Sequence, residues 1–340
     1  MKQLTFFLIP LLAITLLFGC GSDTDSSSNE TQQNTASTDG QTDPAETAGE
    51  AVALRYRFQK GQRMDYLQKT FSANNILSLN QKTETTIDIY CHITVDDVAP
   101  DGTASVTWTN DRAVYKVQGP GGTIRYDSAD GEEPDHPQWE QGVKYQVLPM
   151  QHAGGTFNVS PRGTISNFNK IAELEAWIKE NPDMAVLVTP SRLEAIAQEL
   201  FLVLPEKAVK PNATWNTTSD FDIGTFNCSV ATTRTYQGLE TRSGKSVARV
   251  DSTQKITTEL PAGGPIKKLQ FKDGSTFGKE WFDSQLGWLT EKTETTVMEQ
   301  EIETQGILMV VESATKATLQ LQPPPNRSVH ERRQYFSHDR

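Results

Sequence analysis

The chain predicts a mainly β, or α+β, domain: an antiparallel, strand-rich sheet with a central pair of amphipathic helices packed on it. Three observations carry this reading. Apolar and polar residues alternate with period two through most of residues 54–126 and again through 226–321, the pattern of strands with one buried and one solvated face. Turn signals such as Pro100-Asp101-Gly102, Gly119-Pro120-Gly121-Gly122 and Lys272-Asp273-Gly274 separate the alternating runs. Between the two strand-rich stretches the apolar period changes to three and four, which turns a strand pattern into a helical one.

Residues 1–19 read as a lipoprotein signal peptide. Lys2 supplies the positive start, and a largely apolar run from Leu4 to Phe18 comes next. The run is too short for a comfortable membrane span, which takes about 20 apolar residues. It ends in Leu17-Phe18-Gly19-Cys20, which resembles the bacterial lipobox. In that motif a small residue precedes the cut, and the Cys20 thiol takes a diacylglycerol thioether. Several acyl chains at about 0.8 kcal/mol per buried CH₂ hold such an anchor in a bilayer. Gly21, rather than Asp, after the Cys resembles the outer-membrane sorting pattern, so the expected place is the outer membrane, facing the periplasm or the cell surface.

Residues 20–50 then form the expected tether. Gly21 to Glu50 contain no aromatic, no Val, Ile, Leu or Met and no basic residue, but seven acidic ones. Such a stretch buries too little to offset its chain entropy, so the expectation is disorder. The net charge of −11 is therefore concentrated in a stalk, and its sign argues against a nucleic-acid partner. A hydrophobic fraction of 36% over 340 residues supports a sizeable core in the rest of the chain.

The folded part is expected over 51–321, in halves of about 51–167 and 208–321 with helices over about 168–205. Leu54, Tyr56 and Phe58 open the alternation; Ile87 to Val95, Ala104 to Trp108 and Ile124 to Tyr126 continue it. The Thr-rich runs Lys82-Thr83-Glu84-Thr85-Thr86 and Lys292-Thr293-Glu294-Thr295-Thr296 suit strands with a solvated face. Ile171, Leu174, Trp177 and Ile178 mark one helix face, and Asn181-Pro182 stops it. Thr189-Pro190 gives the second helix an N-cap followed by proline at its first position, with Leu193, Ile196, Ala197, Leu200 and Phe201 on its apolar face before Pro205. Ser160-Pro161-Arg162-Gly163 and Ser284-Gln285-Leu286-Gly287 echo each other, which allows two related halves. Residues 322–340 are expected to be a disordered basic tail.

The chemistry-bearing motifs are sparse. The chain has no Gly-x-Ser-x-Gly elbow, His-Glu-x-x-His, Cys-x-x-Cys, phosphate loop or dinucleotide fingerprint, so no catalytic residue, metal site or cofactor is assigned. His92 falls on the solvated side of its strand, and His136 in Glu132-Glu133-Pro134-Asp135-His136 reads as part of a solvated loop. With Cys20 acylated, Cys91 and Cys228 remain, both on the apolar faces of their strands. In an oxidising compartment they form either a disulfide or two separately buried thiols. Trp139 and Trp288, beside polar loops, are the two tryptophans expected at the surface.

Tyr56-Arg57-Phe58-Gln59-Lys60-Gly61-Gln62, Val95-Asp96-Asp97-Val98 with Asp101-Gly102, Ser160-Pro161-Arg162-Gly163, Leu204-Pro205 leading to Trp215, and Phe282-Asp283 with Gly287 together resemble an uncharacterised family of exported, lipid-anchored, β-rich bacterial proteins. The resemblance implies export and a β-rich fold, and no activity. The functional expectation is a non-catalytic envelope lipoprotein that binds a partner protein, wall polymer or apolar molecule. Its alternatives are a carrier of lipid or another apolar ligand in a half-barrel, and a carboxylate-based hydrolase.

Overall fold

The computed structural model describes residues 50–323, apart from 138, 140–142, 224–225, 261–265 and 305. The signal peptide, Cys20, nearly all of the tether and the basic tail lie outside the described residues. Twelve strands form one antiparallel sheet: β1 (Arg63–Ile76), β2 (Gln81–Val98), β3 (Ala104–Gly119), β4 (Gly122–Asp127), β5 (Gly154–Val159), β6 (Ile165–Lys170), β7 (Thr214–Ile223), β8 (Phe226–Arg242), β9 (Lys245–Glu259), β10 (Ile266–Asp283), β11 (Trp288–Thr304) and β12 (Ile307–Leu321). The strand order is β6-β5-β3-β2-β1-β12-β11-β10-β9-β8-β7, with β4 sharing the outer edge of β3 with β5. The first and last strands therefore meet at a central seam, in register from Tyr66 opposite Leu321 to Ile76 opposite Val311. From that seam one half meanders outward along the chain, and the other meanders inward. Of the two echoing turns, one joins the edge pair β5–β6 and the other joins β10–β11.

Among the described residues three α-helices accompany the sheet: α1 (Lys144–Gln151), α2 (Ala172–Glu180) and α3 (Pro190–Gln198). The Thr189 hydroxyl accepts the Arg192 backbone N–H at 3.3 Å, the N-cap that the sequence predicts. α3 packs against β5 and β6 at one edge of the sheet and against β7 at the other. The Gln198 side chain accepts from Ile165 N at 3.0 Å and donates to Gly163 O at 2.8 Å, while Trp215 on β7 donates to Val203 O at 2.9 Å. The sheet thus curls into an incomplete barrel, and α3 with residues 199–205 seals the gap. Leu193, Ile196, Ala197, Leu200 and Phe201 are buried there, which is why the sequence places its apolar stripe at these positions. α1 departs from the sequence pattern. It carries Pro149 inside its eight residues and shows no sustained apolar period, yet Val147 and Met150 are buried and the helix packs over β3.

Both ends of the described domain leave from one end of the barrel, the base. Residues 51–62 are not a strand, contrary to the alternation of Leu54, Tyr56 and Phe58. They form an extended strap whose backbone bonds go to four separate segments: Val52 to Val209, Tyr56 N to Pro161 O, Arg57 N to Gly287 O, and Gly61 and Gln62 to Val95. No single neighbour runs alongside long enough to make a ladder. The inward residues of the strap plug the base. The Tyr56 ring lies 5.6 Å from Phe58, 5.0 Å from Phe282 and 5.9 Å from Trp288, and its hydroxyl accepts Leu202 N at 2.7 Å. Trp288 is 0% exposed at the centre of this cluster, so its expected surface position is corrected: the polar turn beside it folds over the plug. Trp139 is equally buried, with its ring 4.9 Å from Tyr126 and its indole N–H on Glu133 at 2.7 Å.

Cys91 and Cys228 are free thiols. They stand on β2 and β8, six places apart in the strand order. Burial pushes both thiols up to about 12. In the native protein neither should react with iodoacetamide at pH 8; after denaturation without reductant, mass spectrometry should count two adducts in the folded domain. A native-state adduct, or no adduct after denaturation, would contradict this burial.

Candidate functional site

The concave face of the barrel is where sequence and structure diverge most. Along one register row, inward side chains from eight successive strands are polar. They run Thr217, Thr232, Gln254, Thr276, Thr296, Thr315, Ser72 and Thr85 on β7, β8, β9, β10, β11, β12, β1 and β2. All except the half-buried Gln254 are buried. Neighbouring hydroxyls pair within the sheet, Thr276 with Thr296 at 2.9 Å and Ser72 with Thr315 at 3.0 Å. This belt gives the long strands a polar interior at mid-height, between the aromatic plug at the base and a small apolar cluster of Ile76, Ile302, Met309 and Val311 near the opposite rim.

On the basal side of the belt lie five buried charged groups. Lys292 on β11 bonds Glu199, the residue that ends α3, and contacts Glu294 at 3.1 Å. Arg234 on β8 faces Glu280 on β10 at 3.6 Å and donates to the Thr217 hydroxyl at 2.6 Å. Gln254 donates to Glu294 at 2.8 Å, reaching from β9 to β11 across Gly278. A Cβ at position 278 would stand 2.2 Å from the Ser252 hydroxyl, so glycine keeps this crossing open. Glu199 Oε1 and Glu280 Oε2 have no hydrogen-bond partner among the described residues. A cavity of about 20 Å³ bounded by Gln68, Glu199, Lys292 and Glu294 lies beside Glu199, the size that admits a single water.

Burial sets the protonation of this cluster. It pushes the Glu199 carboxyl up to about 7, against the opposing pull of Lys292, and raises Glu280 against the pull of Arg234. Burial alone would lower Lys292, but Glu199, Glu294 and Glu280 around it hold its ammonium above the ordinary range. The arrangement is a latch: Glu199 ties the sealing helix to β11. It offers solvent no acid or base. The sequence pattern missed it because Lys292-Thr293-Glu294-Thr295-Thr296 reads as a solvated strand; in fact Lys292, Glu294 and Thr296 point inward and Thr293 and Thr295 outward.

The latch predicts a pH dependence. Folded Glu199 keeps its proton to about pH 7, whereas an ordinary glutamate releases it near 4.5. Between these values the folded state binds more protons, so this group's contribution to stability falls as pH rises from about 4.5 through about 7. Burial lowers His152, which acts in the opposite sense below 6.5. Arg112 holds Asp127 down, so that group titrates below the window. Burial raises Glu194 and Glu280 as well, and all four groups are present in a Glu199→Gln variant, so the difference between the urea midpoints of the two proteins reports Glu199 together with its coupling to Glu280 through Lys292. Parallel midpoints from pH 4.5 to 8 would refute the shift.

On the outer face, Asp65, His92 and Asp111 of β1, β2 and β3 bring one ligand atom each to within 4.8 Å of one another. His92 Nδ1 meets Asp111 at 2.8 Å, and Arg63 contacts Asp65 at 2.8 Å and Asp111 at 3.6 Å. Arg63 thus links both carboxylates of the group in a surface ion network. A wider polar cleft of about 620 Å³ opens beside the start of α3, lined by Ser191, Asp220, Asn227, Cys228, Ser229, Thr257 and Glu259. Its two carboxylates are exposed.

No family model matches the chain, and neither does any curated protein sequence. Among solved structures it is similar to lipovitellin, in a study of lipid–protein interactions, at a TM-score of 0.42 and 12% identity; the match covers 78% of this chain and 25% of that one. It is also similar to an outer membrane channel from Pseudomonas putida F1, at a TM-score of 0.27 and 8% identity over 83% of this chain and 100% of the other. A third similar structure, described as a lipoprotein of Parabacteroides distasonis ATCC 8503, has a TM-score of 0.26 and 13% identity over 79% and 98% of the two chains. The chain thus spans about a quarter of the lipovitellin chain it matches.

Proposed function

We propose that the protein is a non-catalytic envelope lipoprotein, anchored through acylated Cys20, whose barrel serves as a binding or structural module at the cell envelope. The observation that supports this most directly is polarity of the fold. The strap next to the tether and the first residue after β12, Gln322 bonded to Asp65 O, both sit at the base, so the whole length of the sheet projects away from the point of attachment. The convex face carries charges such as Lys69, Asp88, Glu299, Glu312 and Lys316, as a solvated surface does.

Carriage of a lipid or another apolar ligand inside the half-barrel draws support from the curl of the sheet. It needs an apolar wall, and the hydroxyl belt and charged latch occupy that wall at mid-height. A hydrolase needs a proton donor held neutral within reach of substrate. Glu199 and Glu280 are sealed from solvent, and Asp220 and Glu259 stand exposed at the lip of the cleft. The anchor is tested by intact mass of the mature protein from bacterial membranes. The expected result is cleavage before Cys20 with an added acylated glycerol; an unmodified Cys20, or cleavage elsewhere, overturns the proposal.

A further inference from the structure

We infer that the rim opposite the base carries a membrane-contacting tip, formed by Leu77 and Leu79 with Ile307 and Leu308, that enters the headgroup boundary of an uncharged lipid bilayer. The inference rests on the anchored reading proposed above. Leu77 and Leu79 occupy the tight turn between β1 and β2, with exposures of 46% and 38%. Ile307 and Leu308 open β12 just after the β11–β12 turn, with exposures of 55% and 48%. The two turns are neighbours because β1 pairs with β12, and the last pair is Ile76 with Val311. Residues 307–310 overhang that pair and lie beside the β1–β2 turn.

Turn tips in water normally carry Gly, Asn, Asp, Ser or Pro, and four large aliphatics on two adjoining turns depart from that rule. They are not loose ends of the core, since the cluster beneath them, Ile76, Ile302, Met309 and Val311, is already closed. A contiguous apolar surface of this kind marks a contact site.

Chain length identifies the occupant. From Arg63 to Ile76 the sheet rises roughly 44 Å at about 3.4 Å per residue. Thirty residues separate Cys20 from Ala51, and at about 3.3 to 3.6 Å each they span up to roughly 100 Å. A chain anchored at Cys20 can therefore tip over and set its rim on the bilayer that holds the anchor. Tethering also turns a weak insertion into an intramolecular event. The charge pattern fits an uncharged lipid: near the tip Glu299, Glu301, Glu303 and Glu312 are balanced by Lys82, Lys267, Lys268 and Lys272, with Glu301 paired to Lys268 and Lys272, so no net positive charge draws the tip to anionic headgroups. Apolar insertion is expected to be insensitive to salt.

The full-length acylated protein, reconstituted through its anchor into phosphatidylcholine vesicles, tests this. A polarity-sensitive fluorophore is placed at Leu79→Cys and, as a control at the base, at Ser243→Cys. The label at 79 should shift to the blue and be quenched several-fold more by brominated lipid than the label at 243, equally at low and high salt. A Leu77→Ser/Ile307→Ser/Leu308→Ser background should remove the difference. Equal quenching at both positions overturns the inference. So does a blue shift that rises with protein concentration in detergent without lipid, which would make the occupant a second copy. Mass analysis of the same sample separates the two readings: acylated Cys20 with equal quenching refutes the tip alone, and unmodified Cys20 refutes the anchor.

Discussion

Replacing Lys292 by methionine is expected to destabilise the fold by about 3 to 5 kcal/mol, the usual loss when one partner of a buried ion pair is removed. The Lys292 ammonium is the cation nearest both Glu199 and Glu294, and both carboxylates are buried. Without it, Glu199 at the end of α3 must either take up a proton or stay charged and buried with no cation in contact. Glu294 retains one amide donor, from Gln254, so the larger loss falls on Glu199 and on the docking of α3 over the sheet gap. The companion expectation is recovery. A Glu199→Leu/Lys292→Met double replacement should regain most of the lost stability, because apolar groups of similar volume in place of a buried pair are often neutral or stabilising. Urea unfolding followed by circular dichroism gives the coupling between the two sites. A single-variant loss below about 1 kcal/mol, or a double variant no better than the single, would mean that the latch does not bear on stability.

That latch also marks the limit of what was legible in the sequence. The strand-rich class, the helical interruption and the Thr189-Pro190 cap derive from local rules: period, turn chemistry and capping each act within a few residues. The hydrophobic plug was partly legible, because Tyr56, Phe201 and Trp288 were visible as large apolar residues, although their burial beside polar turns was not. The inward direction of Lys292 and Glu294 was illegible for a physical reason. Alternation tells that two faces exist and assigns the apolar one to the interior, so a strand with Lys, Glu and Thr on one face and Thr on the other offers no apolar face to assign. Register with β10 and β12 decides it, and register is a non-local property. The seam between β1 and β12 was equally out of reach, since it joins the first and last strands of the sheet.

The second large effect is expected at Gly163, in the turn between β5 and β6, and it tests how the strap is held. Gly163 has φ +85°, and a Cβ there would lie 2.4 Å from Leu202 O and 2.6 Å from the Tyr56 ring. Alanine at this position meets two costs at once. The left-handed backbone costs about 1 to 2 kcal/mol for a residue with a Cβ, and overpacking against backbone and a ring already in contact with Phe282 and Trp288 adds about 1 to 3 kcal/mol. Gly244, in the turn between β8 and β9, separates the two. Its φ is +77° but nothing lies within 4 Å of its would-be Cβ, so Gly244→Ala should show the backbone cost alone. Thermal or urea unfolding of the two variants should therefore differ by the packing share. Equal losses would mean that the turn yields and that the strap is not clamped by it. A larger loss at Gly163, accompanied by faster proteolysis at Ala51–Gln62, would identify the turn as the clamp that keeps the tethered end of the chain locked into the base.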